Sequence, residues 1–468
     1  MPKPTAPRWS VFALALAMGL SSLAATIVNI ALPALADALS SPLQQVQWIL
    51  LAYLICVTAL VVVAGRLADI VGPKRLLKAG ILLFTLGSGL CAAAPDLELL
   101  VAARAVQGAG AAIMTALSLA LVGAGAPKDR IGSAMGMLGG VAALGTALGP
   151  VLGGALLAGF GWRALFLVNL PLGLLAFLLA SRHLPDDAPP AAGGWKRFDF
   201  AGALLLGSSL TAYALAMTPG RGGFGAASGA LASAAALLFG LFLVAQAKTA
   251  TPLVRLALLR DRTVGPGLAM SAVVMTVLMA TLVVGPFYLA RGLGLGPALT
   301  GLVLSTGPAV AALAGVPAGR LVDRYGARAA ALAGLVAVGA GCLLLSLAPP
   351  TLGAGAYAGP IALVTAGYAL FQAGNNSAVM AEAAPGERGV VSGMLTLSRN
   401  LGLITGASAM AALFGLASGV SDLAAAPAEA VVAGFRTTMA VGALLAFGAL
   451  ILSLASHLRD PRREFGVT

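Results

Sequence analysis

Fourteen stretches of this sequence are long and apolar enough to cross a bilayer, and little chain is left between them. They run near 10–33, 46–64, 76–94, 98–122, 133–158, 163–181, 200–218, 227–247, 264–289, 298–318, 328–348, 354–379, 389–416 and 432–455. A crossing helix needs about 20 apolar residues, and inside hydrocarbon each backbone amide must be bonded within its own segment. Pro, Gly and charged residues punctuate the runs, where helix ends belong. Membrane β-strands would instead alternate over about ten residues, and no segment does so. The chain is expected to be an all-α polytopic membrane protein with 14 transmembrane helices. Its composition agrees, at 59% hydrophobic and 9% charged, against roughly 25% charged in soluble domains. A soluble enzyme, a disulfide-stapled secreted domain and a disordered chain are excluded.

The net charge of +12 reads as topology rather than nucleic-acid binding. With the N-terminus placed inside, 22 of the 28 basic residues fall on the inner side. Only Arg163, Arg221, Arg291 and Arg436 fall outside, while Arg104 and Arg399 lie within runs. By the positive-inside rule both termini are expected in the cytoplasm. Arg outnumbers Lys and Ala and Gly abound, a composition associated with high-GC bacteria, so the expected location is a bacterial inner membrane. The first run is about 23 residues long, beyond the roughly 7–15 of a signal-peptide core, and is expected to be a retained helix. Cys56, Cys91 and Cys342 all sit in apolar runs and read as small buried hydrophobes. No metal site or cofactor is expected.

An internal repeat organises the chain. Gly65-Arg66-Leu67-Ala68-Asp69-Ile70-Val71-Gly72-Pro73-Lys74, after run 2, recurs after run 10 as Gly319-Arg320-Leu321-Val322-Asp323-Arg324-Tyr325-Gly326-Ala327-Arg328. Gly145-x3-Gly149 in run 5 is echoed by Gly402-x3-Gly406 in run 13. The eight-run offset implies a six-helix bundle at 1–182, an inner linker with two extra helices at 183–263, a second six-helix bundle at 264–456 and a cytoplasmic tail at 457–468. Repeated halves around a central site are the build of a secondary transporter.

These residues resemble the major facilitator superfamily, in its fourteen-helix drug:proton antiporter branch, and the likeness is collinear over nearly the whole chain. Thr26-Ile27-Val28-Asn29-Ile30-Ala31-Leu32-Pro33 is close to the branch signature in helix 1, and Trp48 and Tyr53 match its helix 2 opening. Gly65 to Arg75 is similar to the superfamily's loop between helices 2 and 3, and Arg104-x2-Gln107-Gly108 to its helix 4 motif. Gly145, Gly149, Pro150, Gly153 and Gly154 resemble the helix 5 antiporter motif, which in the family accompanies export. Trp162-Arg163 with Phe166, Asn169, Pro171 and Gly173 completes the set.

Each motif also has a physical reading. The Gly65–Arg75 segment reads as a tight loop in which Gly65 and Gly72 permit turns. Asp69 with Arg66 or Arg75, or at a neighbouring helix N-terminus, would form a charge latch, as would Asp323 and Arg328 in the repeat. Making and breaking such a latch would bias inward and outward states, against the plainer reading of topology charges and turn residues. Glycines four apart on helix 5 make a flat face for close helix approach, and Pro150 removes a backbone donor. Arg104 and Arg399 are intramembrane charges, which mark function by default; the resemblance implies that Arg104 faces the cavity and is linked to proton coupling. Gln107 and Asn29 join them as transport or coupling candidates. Tyr53, Gln372, Asn375 and Asn376 are candidates for a substrate cavity, with packing hydrogen bonds as the alternative for the last three.

One departure stands out. The branch usually has Asp two residues before the helix 1 Thr, and here that position is Ala24. None of the sixteen acids falls at mid-membrane; Asp37 and Glu382, near helix ends, are the only ones placed to reach a cavity. Preference for dicationic substrates and the usual proton carrier are thereby put in question, and two cavity arginines would favour neutral or anionic compounds.

The expected function is secondary active export of small amphipathic compounds by alternating access in exchange for protons. The alternative is a dedicated exporter or facilitator of neutral or anionic metabolites without conventional proton coupling. An enzyme would need an interfacial carboxylate or His cluster, and no nucleotide loop of the G-x-x-x-x-G-K-(S/T) type appears. A sensor using the same fold is a further rival. The expected partners are a lipophilic small molecule, protons and the lipid bilayer, with no nucleic acid, and the chain is expected to act as a monomer.

Overall fold

The computed structural model describes residues 8–28, 31–41, 43–125, 130–187, 198–217, 225–249, 252–384, 387–419 and 427–458. Among them the secondary structure is helical throughout. Fourteen long helices follow in order: α1 (Arg8–Thr26), α2 (Trp48–Val71), α3 (Pro73–Ala93), α4 (Leu97–Gly125), α5 (Ile131–Phe160), α6 (Asn169–His183), α7 (Phe200–Met217) and α8 (Ala226–Lys248). They continue as α9 (Val264–Phe287), α10 (Thr306–Tyr325), α11 (Ala327–Leu347), α12 (Gly355–Glu382), α13 (Arg388–Thr405) and α14 (Ala428–Leu458). Thirteen of these segments carry 18-residue windows with mean hydropathy of 1.6 to 2.5.

The remaining long helix, α12, is the more polar one. Helix α12 contains Gln372, Asn375 and Asn376 and falls outside that set. Its polar residues are tolerable because it is an interior helix, with most of its length buried. By contrast only 11% of the α8 span is buried, and its Leu237, Leu241 and Val244 are exposed. That is the pattern of a helix bathed in lipid.

The first run also departs from a single helix. It breaks after Thr26, turns at Ile27 and Val28, and resumes as a short helix, Leu32–Ala38, with Pro33 in its first turn. Proline cannot donate a helical hydrogen bond, so it suits a helix start and not an interior. In α9, Pro286 precedes a π-turn at Tyr288–Gly292. A second π-turn, Gly406–Met410, prolongs α13 before the helix resumes at Ala411–Ser418. Wider turns of this kind occur often at functional positions.

The chain groups into two compact units. The first comprises Met1–Leu256 with Ala383–Leu397, and the second Ala257–Glu382 with Ser398–Thr468. In the first unit Trp162, Phe166, Ile27 and Ile49 belong to one buried cluster. In the second, Tyr288 stacks on Phe435 at 3.9 Å between ring centroids, beside Tyr357.

The same backbone crossings are built in both units. A Cβ on Gly110 of α4 would lie 2.7 Å from the Gly80 carbonyl of α3. In the second unit a Cβ on Gly367 of α12 would lie 2.9 Å from the Gly334 carbonyl of α11. Likewise Gly145 of α5 presses on the Gly19 carbonyl of α1, and Gly402 of α13 on the Ala272 carbonyl of α9. A threonine seals each of the latter crossings: Thr26 donates to Thr146 O and Thr276 to Gly402 O, both at 3.1 Å. The repeat seen in two sequence motifs therefore extends to four helices of each unit.

Helices α7 and α8 form a hairpin closed at its base. The Asp199 carboxylate, almost fully buried, accepts from the Gly202 N–H at 2.7 Å and from Gln246 Nε2 at 2.6 Å. Gln246 Oε1 in turn accepts from the Val254 N–H at 3.0 Å. Midway along the pair, Ser209 donates to the Ala235 carbonyl at 2.9 Å.

Candidate functional site

The gate motif is mostly helix, which corrects the expected loop. Residues 65–71 are the last turns of α2, and the only break is Gly72, at φ +107°, before Pro73 opens α3. The repeat behaves alike: 319–325 end α10, Gly326 turns at φ +89°, and Ala327 opens α11. Both turns need a residue without a Cβ. In each, the glycine N–H closes the preceding helix, onto Ala68 O at 2.9 Å and Val322 O at 2.8 Å. Gly65 serves a different purpose, since a Cβ there would collide with the backbone of Gly389 at the start of α13.

The α3 N-terminus receives the carboxylate of Asp187. Asp187, beyond the end of α6, accepts from the backbone N–H groups of Lys74 at 2.8 Å and Arg75 at 2.9 Å. Free amides and the helix dipole favour an anion there. Lys74 Nζ reaches back to Asp186 Oδ1 at 2.8 Å and to the Leu184 carbonyl at 2.7 Å. The Lys74 hydrogen bond and charge hold the exposed Asp186 carboxyl below the usual aspartate range. Asp69 lies in α2, but its side chain is outside the described residues, as is Asn29. Asp323 and Arg328 flank the Gly326 turn, and both have partners. The Asp186-Asp187 doublet carried no sequence signal beyond its charge, because its partners lie 112 and 113 positions away.

Arg104 is fully buried in the first unit, at 0% exposure. Its side chain is enclosed by the helices of that unit. Nε donates to the Ile49 carbonyl at 2.9 Å, Nη1 to Gln107 Oε1 at 2.5 Å, and Nη2 to the Ala24 carbonyl at 3.2 Å. The guanidinium lies 4.2 Å from the Tyr53 ring centroid, a cation–π contact of the stronger, desolvated kind. Gln107 passes the network on, its Nε2 donating to Ser88 Oγ at 2.6 Å, and Ser88 to the Phe84 carbonyl at 2.8 Å. Tyr53 completes it by donating to the Ser21 carbonyl at 2.6 Å. Arg104, Gln107 and Tyr53 are thus brought together, tying α4 to α1, α2 and α3. At the matching positions of the second unit, given by the Gly110–Gly367 and Gly145–Gly402 pairings, stand Ile361, Val364 and Val277, all in an apolar core.

The second unit holds its arginine elsewhere. Arg399 of α13 is half-buried. With the Gln372 amide oxygen turned toward it, that oxygen accepts from Nη1 at 3.1 Å, Nη2 at 3.3 Å and the Tyr368 hydroxyl at 3.1 Å. Asn375, one turn further along α12, instead packs structurally, donating to the Gly267 carbonyl at 3.0 Å. Asn376 is buried. An arginine left against lipid near the middle of a helix costs about 3 kcal/mol, so the exposed side of Arg399 calls for a polar neighbour.

Within the antiporter motif the glycines divide. Gly145 and Gly149 are crowded by α1, with a Cβ on Gly149 blocked by Thr26. Gly153 is buried, whereas Gly154 has open space around it. Residue 150 lies within unbroken α5, and the Pro150 side chain is outside the described residues. Asn169, at 1% exposure, finds no protein partner for either amide atom. No group of three or more His, Cys, Asp or Glu residues capable of holding a metal occurs among the described residues.

Residues 14–407 match the model of the Major Facilitator Superfamily. The chain belongs to this superfamily. It is 32% identical over 394 residues to the riboflavin transporter RibZ of Clostridioides difficile, covering 83% of this chain and 84% of that one. It is 33% identical to the multidrug resistance protein Stp of Mycobacterium tuberculosis (82% and 71% covered), and 31% identical to a probable actinorhodin transporter of Streptomyces coelicolor (87% and 72%). Among solved structures, the human organic anion transporter MFSD10 superposes with a TM-score of 0.70 at 18% identity, covering 97% of this chain and all of that one. Superfamily members of this kind are transporters, and the expected all-α polytopic fold is the one observed.

Proposed function

We propose that this superfamily member exports small amphipathic molecules from the cytoplasm by alternating access, in exchange for protons. The observation that carries the reading is the α1–α5 crossing, where Gly145 and Gly149 leave no room for a side chain against Gly19 and Thr26. A crossing without side chains between the backbones lets one helix tilt on its neighbour, and the second unit repeats it at Gly402 and Gly406. The multidrug resistance name of a relative sharing 33% of its residues supports export over uptake. In this reading the bundles at 1–182 and 264–456 are the moving bodies, Gly65, Gly72, Asp323 and Arg328 belong to the inner gate, both termini face the cytoplasm of a bacterial inner membrane, and the monomer suffices.

A second reading is favoured by one contact. Where the branch has its helix 1 carboxylate, this chain has Ala24, and the Ala24 carbonyl accepts from Arg104. Export without conventional proton coupling follows from that substitution. Flux in proteoliposomes under an imposed pH gradient separates the two. Uptake that follows the gradient supports antiport, with Asp37 and Glu382 as carriers to test. Flux that ignores it supports facilitated export.

A further inference from the structure

Arg104 in the first unit and Arg399 in the second lie on different helices and in opposite circumstances. Arg104 is enclosed and bonded to three oxygens. Its repeat position, Ile361, is apolar, while the position in α5 that matches Arg399 is Ala142. Arg399 is held from one side only, by the neutral Gln372 oxygen, and no described carboxylate pairs with it. A guanidinium presents five N–H donors, and those not aimed at Gln372 bond to no described residue. The neighbouring Asn400 adds a buried amide nitrogen without an acceptor. Arg399 stands eleven residues into α13, a rise of about 16 Å, and Gln372 lies ten residues from the end of α12, about 15 Å. Both therefore sit near mid-membrane, too deep for a long side chain to reach either interface easily.

An arginine at that depth, half-exposed and without a counter-charge, must meet something polar on its open side. Gln372 fixes the guanidinium plane, and a fixed fork matches a carboxylate or similar flat anion with two parallel bonds. We propose that Arg399, oriented by Gln372 and Tyr368, is a substrate-binding residue that selects amphipathic organic anions. This rests on the export reading above and names its substrate class. Arg104, enclosed at 0% exposure and bonded to three oxygens, takes no part in that selection.

The test uses the purified full-length protein in proteoliposomes with two xanthene dyes of opposite charge, carboxyfluorescein and rhodamine 6G. The wild type should move carboxyfluorescein faster. Arg399→Gln should lower the anion-to-cation flux ratio by about tenfold, the scale of one charge-assisted contact, and Arg399→Lys should restore part of it. In detergent, carboxyfluorescein binding to the wild type should weaken as salt rises. A flux ratio unchanged in Arg399→Gln, a wild type that prefers rhodamine, or salt-independent dye binding would overturn the anion site while leaving export standing. If the wild type moves neither dye under any gradient, the export reading fails, and this one with it. Should Arg399→Gln elute aggregated, the Arg399→Lys ratio and the wild-type salt series decide.

Discussion

Arg104 Nη2 donates to the backbone carbonyl of Ala24 at 3.2 Å, joining α4 to α1 at the position where the branch this sequence resembles usually has Asp. A main-chain oxygen thus stands in for an acid. It cannot be protonated, so this pairing does not titrate as an Arg–Asp pair would. The guanidinium here works as a cross-brace among four helices.

Replacing that brace should cost stability before anything else. Arg104→Met removes the arginine's bonds to three buried oxygens and is expected to destabilise by about 3 kcal/mol. Arg104→Lys should rescue little, because a point charge cannot span the same acceptors. Thermal melting of the detergent-solubilised protein checks this. Unchanged melting of Arg104→Met would show that the network is dispensable.

The α1–α5 crossing predicts a graded response. Gly149→Ala must displace Thr26, and Gly145→Ala must displace the Gly19 carbonyl. Both should lower the yield of folded protein, whereas Gly159→Ala, with open space around it, should not. Equal yields for the three would mean the close approach is not needed for folding.

Asp187 caps α3 from outside the helix, so Asp187→Ala should cost about 1 kcal/mol, as lost helix caps do. Its neighbour Asp186 has a depressed pKa in the folded chain. A depressed carboxyl stabilises above its unfolded pKa, and the contribution disappears as pH falls through the folded value. Asp186→Asn should therefore lower the neutral melting temperature slightly and flatten the acid limb by the same small amount, since the pair is exposed and screened. An acid limb unchanged in that variant would assign the slope to other groups.

Asn169 offers the opposite case. Both its amide atoms are buried without a protein partner, a state that costs about 1–3 kcal/mol. Asn169→Leu should raise the melting temperature. If flux falls while stability rises, the residue is retained for transport; if stability falls, its amide has found a partner in the membrane.

Much of the fold was legible in the sequence because hydrocarbon permits so few backbone solutions. The spans, the break at Gly72 and its twin at Gly326 follow from apolar length and from glycine's freedom at positive φ. Helix α12 was harder to grade, since its polar residues depend on the helices that surround it. The site was legible only in its residue types. Arg104 was conspicuous as a charge in an apolar run, but its acceptors are mainly backbone carbonyls, which every residue possesses and no pattern marks. The capping role of Asp187 and the Arg399–Gln372 contact arise from tertiary placement, as does the Asp199–Gln246 lock.

That lock has a consequence for the lineage of such chains. Because Asp199 and Val254 are held to the same glutamine, the α7–α8 hairpin enters and leaves at nearly one point. A segment whose ends meet can be spliced into a chain, or cut from it, without pulling its neighbours apart. The two extra helices have the geometry of a cassette, so a twelve-helix ancestor and a fourteen-helix descendant need differ by only one insertion event.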